Sequence, residues 1–109
     1  MIGYRNMIGK YKVITLCEST RFKEDFIKVQ KLLTLDGYIV ITVGLFKEDL
    51  KSIENSENIK EMLDDMHKRK IDMADEIYVI NVGGYIGSST KSEIEYALST
   101  GKIVKYLEN

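Results

Sequence analysis

Continuous apolar runs alternate along this chain with stretches in which apolar residues recur every three or four positions. The first run, VITL at the centre of Lys12 to Cys17, predicts a buried strand, because a parallel strand covered on both faces need not alternate apolar with polar. Phe22, Phe26, Val29 and Leu33 then recur at i, i+4, i+7 and i+11. That spacing makes one apolar helical face, with Ser19 or Thr20 expected at the N-cap and Gly37 at the C′ position. Tyr38 to Val43, YIVITV, predicts a second strand, apolar on both faces. From Gly44 to Glu57 the pattern breaks: Phe46, Leu50 and Ile53 form a helical turn or two before Asn55 and Ser56 interrupt them. This stretch is expected to be a mobile excursion, with a lid over a ligand as one role open to it.

A helical pattern resumes at Asn58, with Ile59, Met62, Leu63, Met66, Ile71 and Met73 on or beside one stripe. The stripe assigns the three methionines to the core. Acidic Glu61, Asp64 and Asp65 precede basic Lys68, Arg69 and Lys70, the order a helix dipole favours. Ile77 to Val82 is the third strand. Ile94, Ala97 and Leu98 give the last helix its core face, Gly101 caps it, and Ile103 to Leu107 is the last strand. Strands alternating with helices, without proline or internal repeat, predict an α/β domain with a parallel sheet between helical layers. The expected architecture is a Rossmann/flavodoxin-like three-layer sandwich of four parallel strands in the order 2-1-3-4. Strand order then reverses between the first and third strands, and ligands of such sheets bind at the carboxyl ends beside the reversal. Those ends are Cys17 to Arg21 and Asn81 to Thr90.

Composition narrows the classes. A chain of 109 residues is expected to be a single α/β domain, residues 1–109, with Met1 to Lys10 a loose extension. It buries roughly two-thirds of its unfolded surface. A net charge of −1 gives no footprint for a nucleic-acid polymer. No apolar run approaches a membrane span and no signal-peptide core precedes the first strand. With Cys17 as the one cysteine, an internal disulfide is excluded, no Cys and His spacing suggests a zinc or other metal site, and a cytoplasmic location fits.

The candidate chemistry lies in Asp75 to Ala97, DEIYVINVGGYIGSSTKSEIEYA. Gly83, Gly84 and Gly87 allow a sharp turn and close approach of the backbone to a ligand. Ser88, Ser89 and Thr90 place hydroxyls at a helix start, whose free amides and partial positive charge suit an anion. The loop is neither GxGxxG nor a P-loop, so no dinucleotide or other cofactor is expected. Ser19, Thr20 and Arg21 offer a hydroxyl, amides and a guanidinium to the same crevice, or else a plain N-cap and a surface arginine. Glu93, one turn into its helix, is expected to stay ionised and able to attack an anomeric carbon. Thr90 to Glu93 equally spells a capping box. His67 is either an acid or base or a half-buried structural histidine, Cys17 a small buried residue at a strand end, and Tyr85 or Phe46 a base-stacking or interface aromatic.

Three segments carry a family resemblance: LCESTRFK in Leu16 to Lys23, MADEIYVINVGGYIGSSTKSEIEYA in Met73 to Ala97, and GKIVKYL in Gly101 to Leu107. Together the chain from Lys12 to Leu107 resembles the nucleoside 2-deoxyribosyltransferase-like family, within a wider group that binds nucleotides or cleaves their N-glycosidic bonds. The resemblance implies a nucleoside or nucleoside monophosphate ligand, a homodimer or higher homo-oligomer, and Glu93 as nucleophile, four residues before Ala97. It also places Cys17, Ser19, Thr20 and Arg21 on one side of the ligand and Asn81, Gly83, Gly84, Tyr85 and Gly87 to Thr90 on the other. The chain departs from the pattern at Glu18, where the family has glycine, at His67, where catalytic members have aspartate, and at Gly87 to Ser89, which lack an aspartate. His67 then stands as the substitute catalytic acid. A rival function is a non-catalytic module that senses or sequesters a nucleotide-derived signal.

Overall fold

Val13–Glu18 (β1), Ile39–Ile41 (β2), Glu76–Ile80 (β3) and Ile103–Tyr106 (β4) form a four-stranded, all-parallel sheet in the order β2-β1-β3-β4. The chain was studied as a computed structural model, which describes residues 11–18, 22–42 and 57–108. The expected extension over residues 1–10, the cluster Ser19, Thr20 and Arg21, Val43 at the expected end of the second strand, and all of the Gly44 to Glu57 excursion except Glu57 lie outside the described residues.

Side chains alternate across a strand, and the two central strands use that alternation to bury both faces. Cys17, Ile77 and Val79 point to one layer, where Ile71 and Ala97 cover them with Ile94 and Val104 alongside. Leu16 and Ile80 point to the other, under Phe26 and Val29 with Phe22 and Leu33 packed against them. The helix Lys23–Leu35 (α1) supplies the second layer. Glu57–Asp72 (α2) and Ser88–Ser99 (α3) supply the first and also contact each other. The architecture is thus the expected Rossmann/flavodoxin-like sandwich, with the 2-1-3-4 order usual for alternating strands and helices. Ile14, Leu16, Ile71 and Ile77 are fully buried, each worth roughly 1.5–3 kcal/mol of transfer free energy. Gly37 and Gly101 follow α1 and α3 with φ of 93° and 78°, the left-handed backbone that glycine adopts without a Cβ clash.

Several local expectations are corrected. Phe22, not Ser19 or Thr20, occupies the N-cap of α1, and no side chain caps it. β2 is shorter than expected and lies at the sheet edge with Ile39 exposed. β3 begins one residue early, at Glu76, and ends at Ile80; Val82–Gly84 form a 3-10 turn. Met62, Met66 and Met73 are 52%, 44% and 68% exposed, and Leu98 is exposed too. α2 turns Ile71 and His67 inward instead, so the buried stripe is narrower than the apolar one. Thr90 lies inside α3 rather than at its N-cap, which is Gly87, and no side chain caps the helix. The capping box is therefore not formed.

Candidate functional site

Three elements converge at the carboxyl end of β1. Strand parity directs the Cys17 side chain toward α2 and α3, where His67 and Glu93 meet it. Cys17 Sγ lies 3.5 Å from His67 Nε2, and that nitrogen lies 3.4 Å from Glu93 Oε1. The thiol and the Glu93 carboxylate face each other within 4.8 Å. Ligating atoms of all three residues fall within 4.8 Å of one another. Cys17 and His67 are buried, and the Glu93 side chain is 14% exposed.

Burial dominates the electrostatics of this trio, because it disfavours whichever form is charged. It lowers His67 to about 4, helped by the positive charge of Lys70. It raises Glu93 to about 7; the Cys17 hydrogen bond opposes this, Asp64 adds to it and Lys68 opposes it. Burial, then the charge and hydrogen bond of Glu93, push the Cys17 thiol well above its usual range. At neutral pH the imidazole and thiol are uncharged, so the His67–Glu93 contact is not an ion pair. Two expectations change. Glu93 is not held fully ionised by the helix start, since it lies in the second turn of α3 and desolvation outweighs the dipole there. His67 carries no proton to give as an imidazolium at pH 7.

The outer side of Glu93 opens on a cavity of about 210 Å³ lined by Lys60, Asp64 and Lys68 of α2 and by Ser88, Ser89 and Ser92 of α3. The cavity thus offers hydroxyls, two ammonium groups and the first turn of a helix, together with the carboxyls of Asp64 and Glu93. A carboxyl near 7 with one side held by neutral donors and the other facing a polar cavity can take part both as a nucleophile and as a proton carrier.

Of the residues expected at the site, Ser88, Ser89 and Glu93 line this cavity, and Cys17 and His67 adjoin it through Glu93. Thr90 is buried and does not line it. Asn81 and Gly83 serve a different contact. The Asn81 amide donates to the Glu108 carbonyl at 2.9 Å and accepts from the Glu108 N–H at 2.9 Å. The Gly83 N–H donates to the Glu108 carboxylate at 3.0 Å. The N–H groups of Gly84 and Tyr85 bond back to the carbonyls of Asn81 and Val82. The glycine loop therefore spends these amides within the chain. The Tyr85 ring meets Phe22 edge-on, with centroids 5.9 Å apart, and Gly87 sits beneath it. Ser19, Thr20 and Arg21 lie outside the described residues.

Lys60, Asp64, Lys68 and Ser92 were missed. Their signal was present: Lys60, Asp64 and Lys68 are spaced i, i+4, i+8, one polar stripe of α2, and Ser88 and Ser92 are spaced i, i+4 on α3. Charges at that spacing read as a solvated face unless the facing helix is known. Comparison with known proteins leaves the assignment to the site itself: no family model matches the chain, and no characterised protein or solved structure matches it significantly.

Proposed function

We propose that the chain cleaves or exchanges the N-glycosidic bond of a nucleoside or nucleoside monophosphate, as its resemblance to the nucleoside 2-deoxyribosyltransferase-like family implies. One observation carries this proposal. Glu93, the residue on which the family's nucleophile falls, lines a hydroxyl-rich cavity while Cys17 and His67 hold its inner side. An ionised Glu93 oxygen attacks C1′, the C1′–N bond breaks, and its electron pair leaves with the base, which takes a proton from solvent. Water then hydrolyses the glycosyl ester, or a second base displaces Glu93 and completes transfer. Ser88, Ser89 and Ser92 bind sugar hydroxyls or a 5′-phosphate, with Lys60 and Lys68 neutralising the phosphate. A cytoplasmic location and a homo-oligomer belong to the same proposal.

The rival function, a nucleotide-binding module without turnover, is favoured by one feature. The position of the family's second carboxylate is held by His67, which is uncharged at pH 7. Incubation with a panel of nucleosides and monophosphates, in chelator and beside a Glu93→Ala control, separates the two. Release of free base that falls at least about 10³-fold in the variant is the expected result. Tight binding with no base released by the native chain would establish the module instead.

A further inference from the structure

We propose that Cys17, His67 and Glu93 form a binding site for a thiophilic divalent cation of the zinc class. The donor set is a soft sulfur, an imidazole nitrogen and a carboxylate oxygen, the ligands from which zinc sites are built. The spacing also fits. With Zn–S of about 2.3 Å and Zn–N and Zn–O of about 2.0–2.2 Å, tetrahedral angles place sulfur and nitrogen about 3.6 Å apart and nitrogen and oxygen about 3.4 Å apart. The chain holds Sγ and Nε2 at 3.5 Å and Nε2 and Oε1 at 3.4 Å. The remaining pair, Sγ and a Glu93 oxygen, lies within 4.8 Å. Among the described residues this is the one group of three donors brought so close.

The three donors come from β1, α2 and α3. An ion there adds a bond among elements already joined by packing and by hydrogen bonds such as Thr15 to the Lys70 carbonyl and Tyr96 to Asp72. Glu93 also lines the cavity, which gives the ion a way in and a place for water as a fourth ligand, the open arrangement of three protein donors plus solvent. The proposal does not rest on glycosidic cleavage. An ion bound there takes the carboxylate that attack on C1′ requires, so the metal-loaded and turnover-competent states exclude each other.

Cobalt(II) titrated into the full chain, freed of chelator and reducing agent, tests the site without reference to any substrate. Cys17 is the single cysteine, so a thiolate-to-cobalt charge-transfer band reports that residue alone. The expected result is a saturable band with the visible intensity of four-coordinate cobalt, one ion per chain, and bleaching on addition of zinc. Cys17→Ser removes the band, and Glu93→Gln weakens binding at least about tenfold. The isosteric Glu93→Gln change sits at a partly open position. It keeps the test decisive if Cys17→Ser fails to fold. A native chain with no charge-transfer band, or a Glu93→Gln chain that binds cobalt as tightly as the native one, overturns the proposal and leaves a trio in polar contact.

Discussion

Glu93 and His67 touch, yet their proton affinities move in opposite directions, and that opposition has a thermodynamic signature. Glu93 rises from 4.5 to about 7 on folding, so between those values the folded chain keeps a proton that the unfolded chain has lost. Its contribution to stability is fully present below 4.5 and is lost as pH rises toward 7. His67 falls from 6.5 to about 4, so between those values the folded chain binds less proton, and its contribution grows with pH. Each slope is at most about 1.4 kcal/mol per pH unit. Across the shared window the two cancel, and the pair leaves native stability nearly flat. Burial and Lys70, not Glu93, set the His67 shift, so it persists in a Glu93→Gln variant. That variant is expected to gain stability with pH through the window, relative to the native chain, by up to about 1.4 kcal/mol per unit. Urea unfolding of both chains in chelator, over a pH series, measures the difference. A difference independent of pH would show that Glu93 titrates normally in the fold.

At the scale of elements, the end of the sheet opposite the trio is held by another carboxylate. Glu76, at the start of β3, is 1% exposed. It accepts hydrogen bonds from Lys105 at 2.9 Å and Tyr38 at 3.3 Å and pairs with Lys12 at 3.5 Å. Burial pushes its carboxyl up, but the hydrogen bond and charge of Lys105, then Lys12, outweigh that and hold it below its ordinary value. Glu76→Gln keeps the shape and removes the charge. The variant is expected to lose about 2 kcal/mol, the range of hydrogen bonds to charged groups. Because the folded value is depressed, the native advantage is present above the usual carboxylate range and disappears as pH falls through it. Denaturant midpoints at neutral and acid pH test this. Glu76 also marks where sequence legibility ends. A charge opening a strand reads as the preceding loop, so β3 was expected to begin at Ile77. The strands were legible because doubly covered parallel strands are apolar throughout, and their order followed from the arrangement usual for alternating strands and helices. The methionines were misassigned because a helical stripe specifies a face but not how much of it the sheet reaches. Cys17 and His67, 50 residues apart, carried no local sign of meeting. Glu93 was singled out by its place in the helix and by the family pattern, while its partners came only from the fold.

For the whole molecule, the sheet order sets how the structure opens. β1 and β3 each have a hydrogen-bonded strand on both sides, whereas β2 and β4 are edges. Their pairing is non-local: Leu16 faces Tyr78 and Cys17 faces Val79, so those contacts exist only when most of the chain has assembled. Their amides therefore exchange with solvent only through global unfolding, while edges and helix starts open locally at lower free energy. Native-state hydrogen exchange is expected to give the slowest rates at successive residues of β1 and β3, with free energies matching denaturant unfolding. Protection in β4 should be weaker and alternate along the strand, since every second edge amide lacks a ladder partner. Ser88 and Ser89 should exchange fast, because the first amides of a helix have no intrahelical acceptor. Equal protection in β4 and β1 would contradict this and indicate that the outer strand is covered in solution. The pattern bears on the site directly. Cys17 stands on the most protected strand, so the inner side of Glu93 is fixed by the part of the fold that opens last, while Ser88 and Ser89, at the start of the same helix as Glu93, stand where local opening is easiest. A ligand is then positioned against a rigid carboxylate by hydroxyls able to adjust to it.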